Sequence, residues 1–273
     1  MNVVDDPDVK LLVLIVLAAG LAGAFWYYRN DIFPLTEEPI VLPPSPVAEE
    51  APAQKAPMHP LAPSKSPEPT EQELVPLPPL DDSDSFFLLA LIDTFGLDVK
   101  QVLVKEALVD KFVATVDNLT RSRVPEKIRP VGGLSGLIVV DAKDNDRQFE
   151  LSPDNYERYD LLVSLVARAD LDAIAALYGR FYPLFQESYM QLGYPDAYFN
   201  DRVVEVIDHL LATPEPKEPI RLIQPHVLYE YEDEELEALS SGQKILLRMG
   251  SKHAETIKRA LRGLRAHIAE SPE

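Results

Sequence analysis

Three ionisable side chains near the middle of the second half of the chain have a spacing that could support chemistry. Asp201, Glu205 and His209 stand four residues apart, so on a helix they form one stripe, with Asp208 beside it. Carboxylates and an imidazole can bind a divalent ion or share a proton. The opposite face is apolar and carries Val203, Val204, Ile207 and Leu210. This arrangement favours an ordinary solvent-facing stripe. In the alternative, Asp201, Glu205, Asp208 and His209 are the candidate metal ligands.

Other segments fail the patterns that familiar chemistry requires. Asp141, Asp144, Asn145 and Asp146 offer oxygen ligands, but the glycine and terminal glutamate of a calcium loop are not in register. The chain has no cysteine, no P-loop, no GxGxxG and no HExxH, and residues 132–136 fail the spacing of a nucleophile elbow. We therefore predict a hairpin turn at the acidic segment, no cofactor, and a protein without a recognisable catalytic residue.

Aromatic residues are dense between positions 178 and 199. They are Tyr178, Phe181, Tyr182, Phe185, Tyr189, Tyr194, Tyr198 and Phe199. Such rings could line a groove for a sugar, a peptide or another ligand. Their helical spacing favours packing in the core instead.

The C-terminal segment is a basic amphipathic helix that follows an acidic run at residues 230–237. Its basic residues are Lys244, Arg248, Lys252, Lys258, Arg259, Arg262 and Arg265, and its apolar face carries Met249, His253, Ile257, Leu261, Leu264 and Ile268. A helix of this kind can lie on a membrane or bind an acidic partner. We predict that it folds back onto the acidic surface of its own domain.

The charge of the chain argues against nucleic acid as a partner. The net charge is −19, and residues 81–273 carry 22 basic and 34 acidic side chains, which gives −12 for that part. A surface of this sign is repelled by phosphate backbones and by anionic lipid headgroups.

An apolar run near the N-terminus predicts a membrane anchor. Eighteen uncharged residues, 11–28, lie between Lys10 and Arg29 and would span roughly 27 Å as a helix, close to the ~30 Å hydrocarbon core. Aromatic residues at the end of the run suit the headgroup boundary. The predicted anchor side chains are Leu11, Leu12, Ile15, Leu17, Leu21, Phe25, Trp26, Tyr27 and Tyr28.

Two features of the anchor stay open. The small residues 22–24 resemble a signal-peptide cleavage site, although Asp5, Asp6 and Asp8 give a poor positive leading segment. The flanking charges, Lys10 and Arg29, balance each other and leave the orientation nearly undecided. We expect an uncleaved single-pass helix in a bacterial inner membrane, with the short tail 1–10 inside and the large domain in the periplasm.

Residues 29–80 predict a disordered, proline-rich linker. Fourteen prolines lie between positions 34 and 80. The segment has too few apolar side chains to offset the entropy of ordering, and proline favours an extended polyproline conformation of about 3.1 Å per residue. The predicted role is that of a spacer, with an SH3-like ligand as the alternative.

Residues 81–273 predict one mainly α-helical domain with a minor β-hairpin. Residues 81–83 cap a helix that ends at Gly96, and Asp98 begins a second one that runs through Val116. The hairpin joins residues 137–140 to 148–151. Further helices are predicted at 153–168, after the cap Asp170, at 201–212 with Asn200 as its cap, and at 242–269. Two short strands are predicted at 220–223 and 227–231.

Several stretches together resemble a bacterial family catalogued as domain of unknown function 3014. They are residues 77–84 (LPPLDDSD), 112–119 (FVATVDNL), 192–195 (LGYP) with 206–211 (VIDHLL), and 236–244 (LEALSSGQK) continuing to 247–250 (LRMG). The resemblance covers nearly all of residues 77–268. It implies a Gram-negative bacterial protein with an N-terminal anchor, and it supplies no activity and no site residues.

Three functions follow as hypotheses from these features. The first is a non-enzymatic envelope protein whose tethered, acidic helical domain acts as a scaffold or adaptor for an unidentified protein partner. The second is a cell-wall-associated hydrolase or ligand-binding domain that uses the aromatic stretch. The third is a scaffold tethered to the cytoplasmic side of the membrane.

Overall fold

The structure is a computed structural model, and it describes residues 56–61, 75–132, 138–143 and 148–269. All of these residues belong to one unit, Gln54–Glu273. The predicted membrane helix at 11–28, with its anchor side chains, lies outside the described residues. Within the described ranges, no helix combines the length and the apolar character needed to cross a membrane.

The domain is mainly helical, as predicted. The α-helices of the described residues are α1 (Asp84–Phe95), α2 (Leu108–Asn118), α3 (Asp154–Glu157), α4 (Asp160–Arg168), α5 (Leu171–Gln191), α6 (Phe199–Leu211), α7 (Glu234–Glu237), α8 (Ser241–Arg248) and α9 (Ser251–Ile268). Short 3₁₀ turns lie at Leu80–Asp82, Leu97–Gln101 and Glu126–Ile128. Helix α9 packs against α4, α5 and α6, and α2 packs against α5 and α6.

A small antiparallel sheet extends the predicted hairpin. Its strands are β1 (Val140–Ala142), β2 (Gln148–Leu151), β3 (Arg221–Ile223) and β4 (Glu230–Tyr231), in that spatial order. The predicted hairpin is confirmed in the pairing of Val140 with Leu151, although β1 contains Asp141, which was predicted to belong to the turn. Residues 144–147, where the rest of the turn is predicted, lie outside the described residues. Because β3 also pairs with β2, the hairpin becomes part of a four-stranded sheet.

The largest core lies between α1, α2, α5 and α6 and the end of α9, and aromatic rings dominate it. The ring centroids of Phe87 and Phe181 are 4.8 Å apart, and those of Phe185 and Phe199 are 6.0 Å apart. All four side chains are buried. Two smaller clusters lie between α4, α6 and α8 and beneath the sheet. The prediction that the aromatic stretch packs in the core is confirmed for its five buried members, whereas Tyr182, Tyr194 and Tyr198 are half-buried.

The predicted helix from Asp98 through Val116 is wrong in its first half. A 3₁₀ turn occupies Leu97–Gln101, and α2 begins only at Leu108, after Ala107 in the left-handed region at φ 50°. The carboxylate of Asp84 accepts hydrogen bonds from the backbone N–H groups of Ala107 and Leu108, both at 2.6 Å. A side chain more than twenty residues away therefore caps this helix, and such a cap leaves no local signal in the sequence.

The predicted helix from 242 to 269 is two helices, because the chain turns between α8 and α9. Gly250 has φ +81°, and a Cβ there would lie 2.8 Å from the ring of Tyr156. Glycine is the residue that tolerates both conditions. The predicted helix at 153–168 is likewise divided, into α3 and α4.

Two predicted caps take other roles. Helix α6 begins at Phe199, so Asn200 lies inside it, where its buried side chain bonds to other elements. Ser83 precedes α1 but makes no side-chain cap, and its hydroxyl donates to the carbonyl of Leu80 at 2.7 Å. Asp170 is the cap of α5, as predicted, and accepts from the N–H of Asp172.

Two stretches of the predicted linker contact the domain. Residues 75–80 lead into the first 3₁₀ turn, and Leu80 is buried in the main core. Residues 56–61 lie against the N-terminal end of α6 and the C-terminal end of α9, where Leu61 forms an antiparallel bridge with Ala269. The rest of the range 29–80 lies outside the described residues.

Candidate functional site

The carboxylates of the predicted polar stripe on α6 face separate partners. Asp201 accepts hydrogen bonds from the backbone N–H groups of Met58 and His59, at 3.0 and 2.6 Å. Asp208 forms a two-point ion pair with Arg265 of α9, at 2.6 and 2.9 Å. Both carboxylates are therefore engaged in holding another part of the chain against α6.

The other two stripe residues are also engaged individually. Glu205 pairs with Arg202 one turn earlier at 2.8 Å, and the ring of His209 lies 2.9 Å from the hydroxyl of Ser240. In the described part of the chain, no group of three or more His, Asp or Glu side chains could hold a metal ion. The structure thus distributes Asp201, Glu205, Asp208 and His209 among four contacts and does not gather them.

A buried ion pair between α2 and α6 was not identified as a site from the sequence. Asp117 is only 3% exposed. The Nε of Arg202 donates to its carboxylate at 3.0 Å, and the Nη2 donates to the backbone oxygen of Asp117 and the hydroxyl of Thr120, at 2.6 and 2.7 Å. Burial alone would lower the pKa of Arg202, but Glu205 and Asp117 outweigh it and raise that pKa. The guanidinium therefore stays charged.

The same ion pair joins further segments at the surface. Arg121 donates to the Asp117 carboxylate at 2.9 Å and to the hydroxyl of Tyr194 at 3.1 Å. The N–H groups of Ser241 and Gly242 donate to backbone oxygens of the turn after α2, at 2.8 and 3.0 Å. We call the set Asp117, Arg121, Tyr194 and Arg202 the polar hub.

Gly242 shows how closely the start of α8 approaches the hub. A Cβ at this position would lie 2.7 Å from the side chain of Leu210 and 2.9 Å from the backbone oxygen of Leu119. Ser240 and Gln243 form a capping box at the same helix start. The stretches behind the family resemblance, at 112–119, 192–195, 206–211 and 236–244, therefore meet at one place.

The tyrosines near these contacts remain neutral donors. Burial, followed by the charge of Asp117, raises the pKa of Tyr189 to about 12, and burial raises the pKa of Tyr231 to about 12. Burial also raises the pKa of Tyr178, whose hydroxyl donates to Asn200 at 2.9 Å. Groups with such values do not act as bases near neutral pH. Tyr178 and Tyr231 serve as hydrogen-bond donors, and all three side chains are buried.

An apolar cavity of about 330 Å³ lies between α1, α2, α4, α5 and α9. No polar atom of the described residues faces it. Its wall includes Leu91, Phe95, Val99, Leu162, Leu177 and Leu264. The aromatic stretch contributes only Tyr178 and Phe185. The cavity is therefore built mainly by aliphatic side chains and does not resemble a sugar-binding groove of exposed rings.

A second cavity, of about 320 Å³, is polar and lies between the start of α9 and residues 213–220. Lys258 is buried there, and its Nζ donates to the backbone oxygen of Thr213 at 2.8 Å and lies 3.4 Å from Glu215. The N–H of Ser251 donates to Glu218 at 3.4 Å. These contacts hold residues 213–218 against the start of α9.

The basic helix α9 folds back onto its own domain, as predicted. Arg265 pairs with Asp208, and the rings of His253 and His267 lie 3.1 and 2.9 Å from Asp160 and Asp172. Its apolar face packs against α4, α5 and α6. The basic side chains thus balance part of the domain's negative charge.

A comparison with known protein families shows to which family the chain belongs. The sequence profile of a family described as "Protein of unknown function (DUF3014)" matches residues 108–265. The chain belongs to this family. The DUF3014 match begins with α2 and ends near the C-terminus of α9, so it contains the polar hub and leaves out α1 and residues 56–61. No curated protein and no solved structure matches the chain.

The sequence of α2 carries one signal of the hub. Val109, Val113 and Asp117 are spaced four apart, so a carboxylate continues the apolar face of α2 within the DUF3014 match. A charge on a buried face requires a partner. The pattern could therefore have predicted a buried ion pair, although it could not have named Arg202.

Proposed function

We propose that this chain is a membrane-anchored, non-catalytic binding protein whose helical domain receives a hydrocarbon chain in the apolar cavity. The observation that carries the proposal is the cavity itself, with about 330 Å³ of space and an apolar wall. Ligand cavities typically measure roughly 300–1,000 Å³. A protein partner for the acidic helical surface, and with it the scaffold role, stays a prediction.

The energetics of an empty cavity favour a ligand. An engineered apolar cavity of about 150 Å³ stays dry and binds benzene, and the cavity of this domain is about twice as large. Because the cavity of this domain opens to the surface, an apolar chain that enters it removes the apolar wall from water, which stabilises the complex by roughly 25 cal/mol per Å² of apolar surface buried.

The nature of the wall selects the class of ligand. No polar atom faces the cavity, so a sugar or a charged group inside would lose its hydrogen bonds to water without replacement. An acyl chain forms no hydrogen bonds with water, so its burial carries no such penalty. The domain's net charge of −12 disfavours an anionic headgroup at the opening. We therefore propose an acyl chain of a neutral or zwitterionic lipid.

The experiment uses the full-length protein in vesicles of zwitterionic lipid that contain a lipid with a photoreactive acyl chain. We expect crosslinks in peptides from residues 84–103 and 160–178, in addition to those in the membrane helix, because the acyl chain enters the cavity. Mass spectrometry of the digested protein locates them. Crosslinks confined to residues 11–28 would contradict the proposal.

A matched pair of variants on α1 sharpens this test. Leu91→Trp fills the cavity and should reduce the crosslinks in the domain at least about tenfold, whereas Leu89→Trp should leave them unchanged. Leu89 is 66% exposed and does not line the cavity. Equal labelling of the two variants would assign the crosslinks to the domain surface.

The placement of the domain is part of the same proposal. The helix 11–28 inserts in a bacterial inner membrane, and the linker holds the domain in the periplasm within reach of lipids. A reporter that is active only in the periplasm, fused after residue 273, is expected to be active, and a matched cytoplasmic reporter is expected to be silent. The opposite result would move the domain to the cytoplasmic side.

A further inference from the structure

Residues 56–61 bind the domain as a short extended peptide. The alternation of exposure is that of a strand, since Pro57, His59 and Leu61 are half-buried and the residues between them are exposed. We call residues 56–61 the docked segment. It lies where the N-terminus of α6 meets the C-terminal end of α9.

The domain contacts this segment mainly through its backbone. The residues that bind the segment are Asn200, Asp201 and Ala269, which we call the docking groove. The carboxylate of Asp201 accepts the N–H groups of Met58 and His59, and the Nδ2 of Asn200 donates to the carbonyl of His59 at 2.8 Å. Both N–H groups between the two prolines of the segment are therefore bound.

Hydrogen bonds within the domain fix the side chain of Asn200 in the groove. Asn200 is 1% exposed, and besides binding the segment its Nδ2 donates to the carbonyl of Ile268 at 3.0 Å. Its Oδ1 accepts from Tyr178, so α5, α6 and α9 fix the amide in position. Leu61 adds an apolar contact with the main core and the bridge to Ala269. A fixed amide and a carboxylate that both bind peptide backbone form a receptor for an extended strand.

We infer that the docking groove is a peptide-binding surface whose occupant is the chain's own linker, and that this docking sets the reach of the linker. Six residues make three hydrogen bonds through side chains, one bridge and one apolar contact. Ordering them costs backbone entropy that offsets most of this stabilisation, and the remainder is small compared with the stability of the whole domain. The segment therefore opens and closes without unfolding of the domain.

The docked and the released state of the segment differ in the distance that the linker can span. Between Tyr28 and Ala56 lie 27 residues, and between Tyr28 and Val75 lie 46. At about 3.1 Å per residue for an extended proline-rich chain, the limits are about 84 Å with the segment docked and about 143 Å with it released. This inference rests on the proposed anchoring by residues 11–28, under which docking shortens the longest distance that the linker can span.

Hydrogen exchange of the full-length protein in zwitterionic vesicles tests the docking. The peptide that contains residues 56–61 should be protected, and Asp201→Ala should accelerate its exchange at least about tenfold, because two charge-assisted hydrogen bonds are lost. Asp208→Ala is the matched control, since it removes a carboxylate of the same helix that binds Arg265 and not the linker. Absence of protection in the unmodified protein would overturn the inference.

Disulfide trapping provides a second, independent measurement, because the chain has no cysteine of its own. Leu61 and Ala269 are bridge partners, and cysteines at such positions meet the distance requirement of a disulfide. Leu61→Cys with Ala269→Cys should form an intrachain disulfide at least about tenfold faster than Ser45→Cys with Ala269→Cys. Equal rates, or disulfides between two copies, would overturn the assignment of the groove to the chain's own linker.

Discussion

Replacing Asp117 with alanine is expected to lower the free energy of unfolding by about 3–5 kcal/mol. The variant leaves the guanidinium of Arg202, whose side chain is only 14% exposed, without its buried carboxylate. Removing one partner of a buried pair costs more than the pair itself contributes, because the remaining charge stays desolvated. Thermal unfolding followed by circular dichroism measures the loss.

The control for this variant is Glu205→Ala. Glu205 pairs with the same arginine at 2.8 Å, but its own side chain is 65% exposed. Exposed ion pairs contribute about 0–1 kcal/mol, so this variant should remain close to the unmodified protein. If Asp117→Ala and Glu205→Ala destabilised the domain equally, the polar hub would not be the buried anchor that the geometry indicates.

A second variant separates burial of the hub from its charge. Changing Asp117 and Arg202 together to leucine and methionine removes both charges and keeps most of the volume. Replacing a buried ion pair by apolar residues is often neutral or stabilising. The double variant is therefore expected to recover most of the stability that Asp117→Ala loses.

Phe181→Ala is expected to destabilise the domain by about 3–5 kcal/mol, which is a large part of an ordinary domain's stability. Phe181 is fully buried, and its ring contacts those of Phe86, Phe87 and Phe185. For a domain of this size the melting temperature should fall by roughly 6–20 °C. Phe181 does not itself line the apolar cavity, so the variant tests the packing of the aromatic core.

Met190→Ala provides the comparison on the same helix. Met190 is 45% exposed, and truncation there should change the stability by no more than about 0.5 kcal/mol. If Phe181→Ala left the melting temperature unchanged, the aromatic residues would form an accessible groove and not a core. The hypothesis of a ring-lined groove for sugars or peptides would then regain support.

The hub and the cavity lie in different parts of the helical packing. The hub joins the end of α2 to the start of α6 through charges, and backbone hydrogen bonds join the start of α8 to the turn after α2. The cavity lies where α1, α4 and α5 leave space between apolar side chains. Hub variants should therefore change stability, whereas Leu91→Trp should change labelling by the photoreactive lipid. This difference allows a structural role to be separated from a binding role.

The local sequence determined the long helices and the hairpin. The periodicity of α5 and α6, the cap at Asp170 and the pairing of β1 with β2 were all predicted, because hydrophobic spacing and local caps act within a few residues. The absence of cysteine and of familiar catalytic motifs was likewise readable from the chain. Predicting these features requires no knowledge of tertiary contacts.

The sequence also placed the polar stripe of α6 on one face, yet it did not determine what that face contacts. Asp201 binds a segment 142 residues away along the chain, and Asp208 binds Arg265 of another helix. Spacing along one helix shows which side chains lie on the same face of that helix. It cannot show which distant elements arrive there, and those partners decide whether carboxylates form a metal site or ion pairs.

Tertiary structure alone decided where several helices end, what Asn200 does and where space remains. The carboxylate of Asp84 caps α2, the ring of Tyr156 requires glycine at position 250, and Asn200 joins three elements inside the domain. The cavity arises from side chains that five helices leave incompletely packed. Each feature depends on contacts between residues far apart in sequence, whereas periodicity and capping rules describe only neighbours.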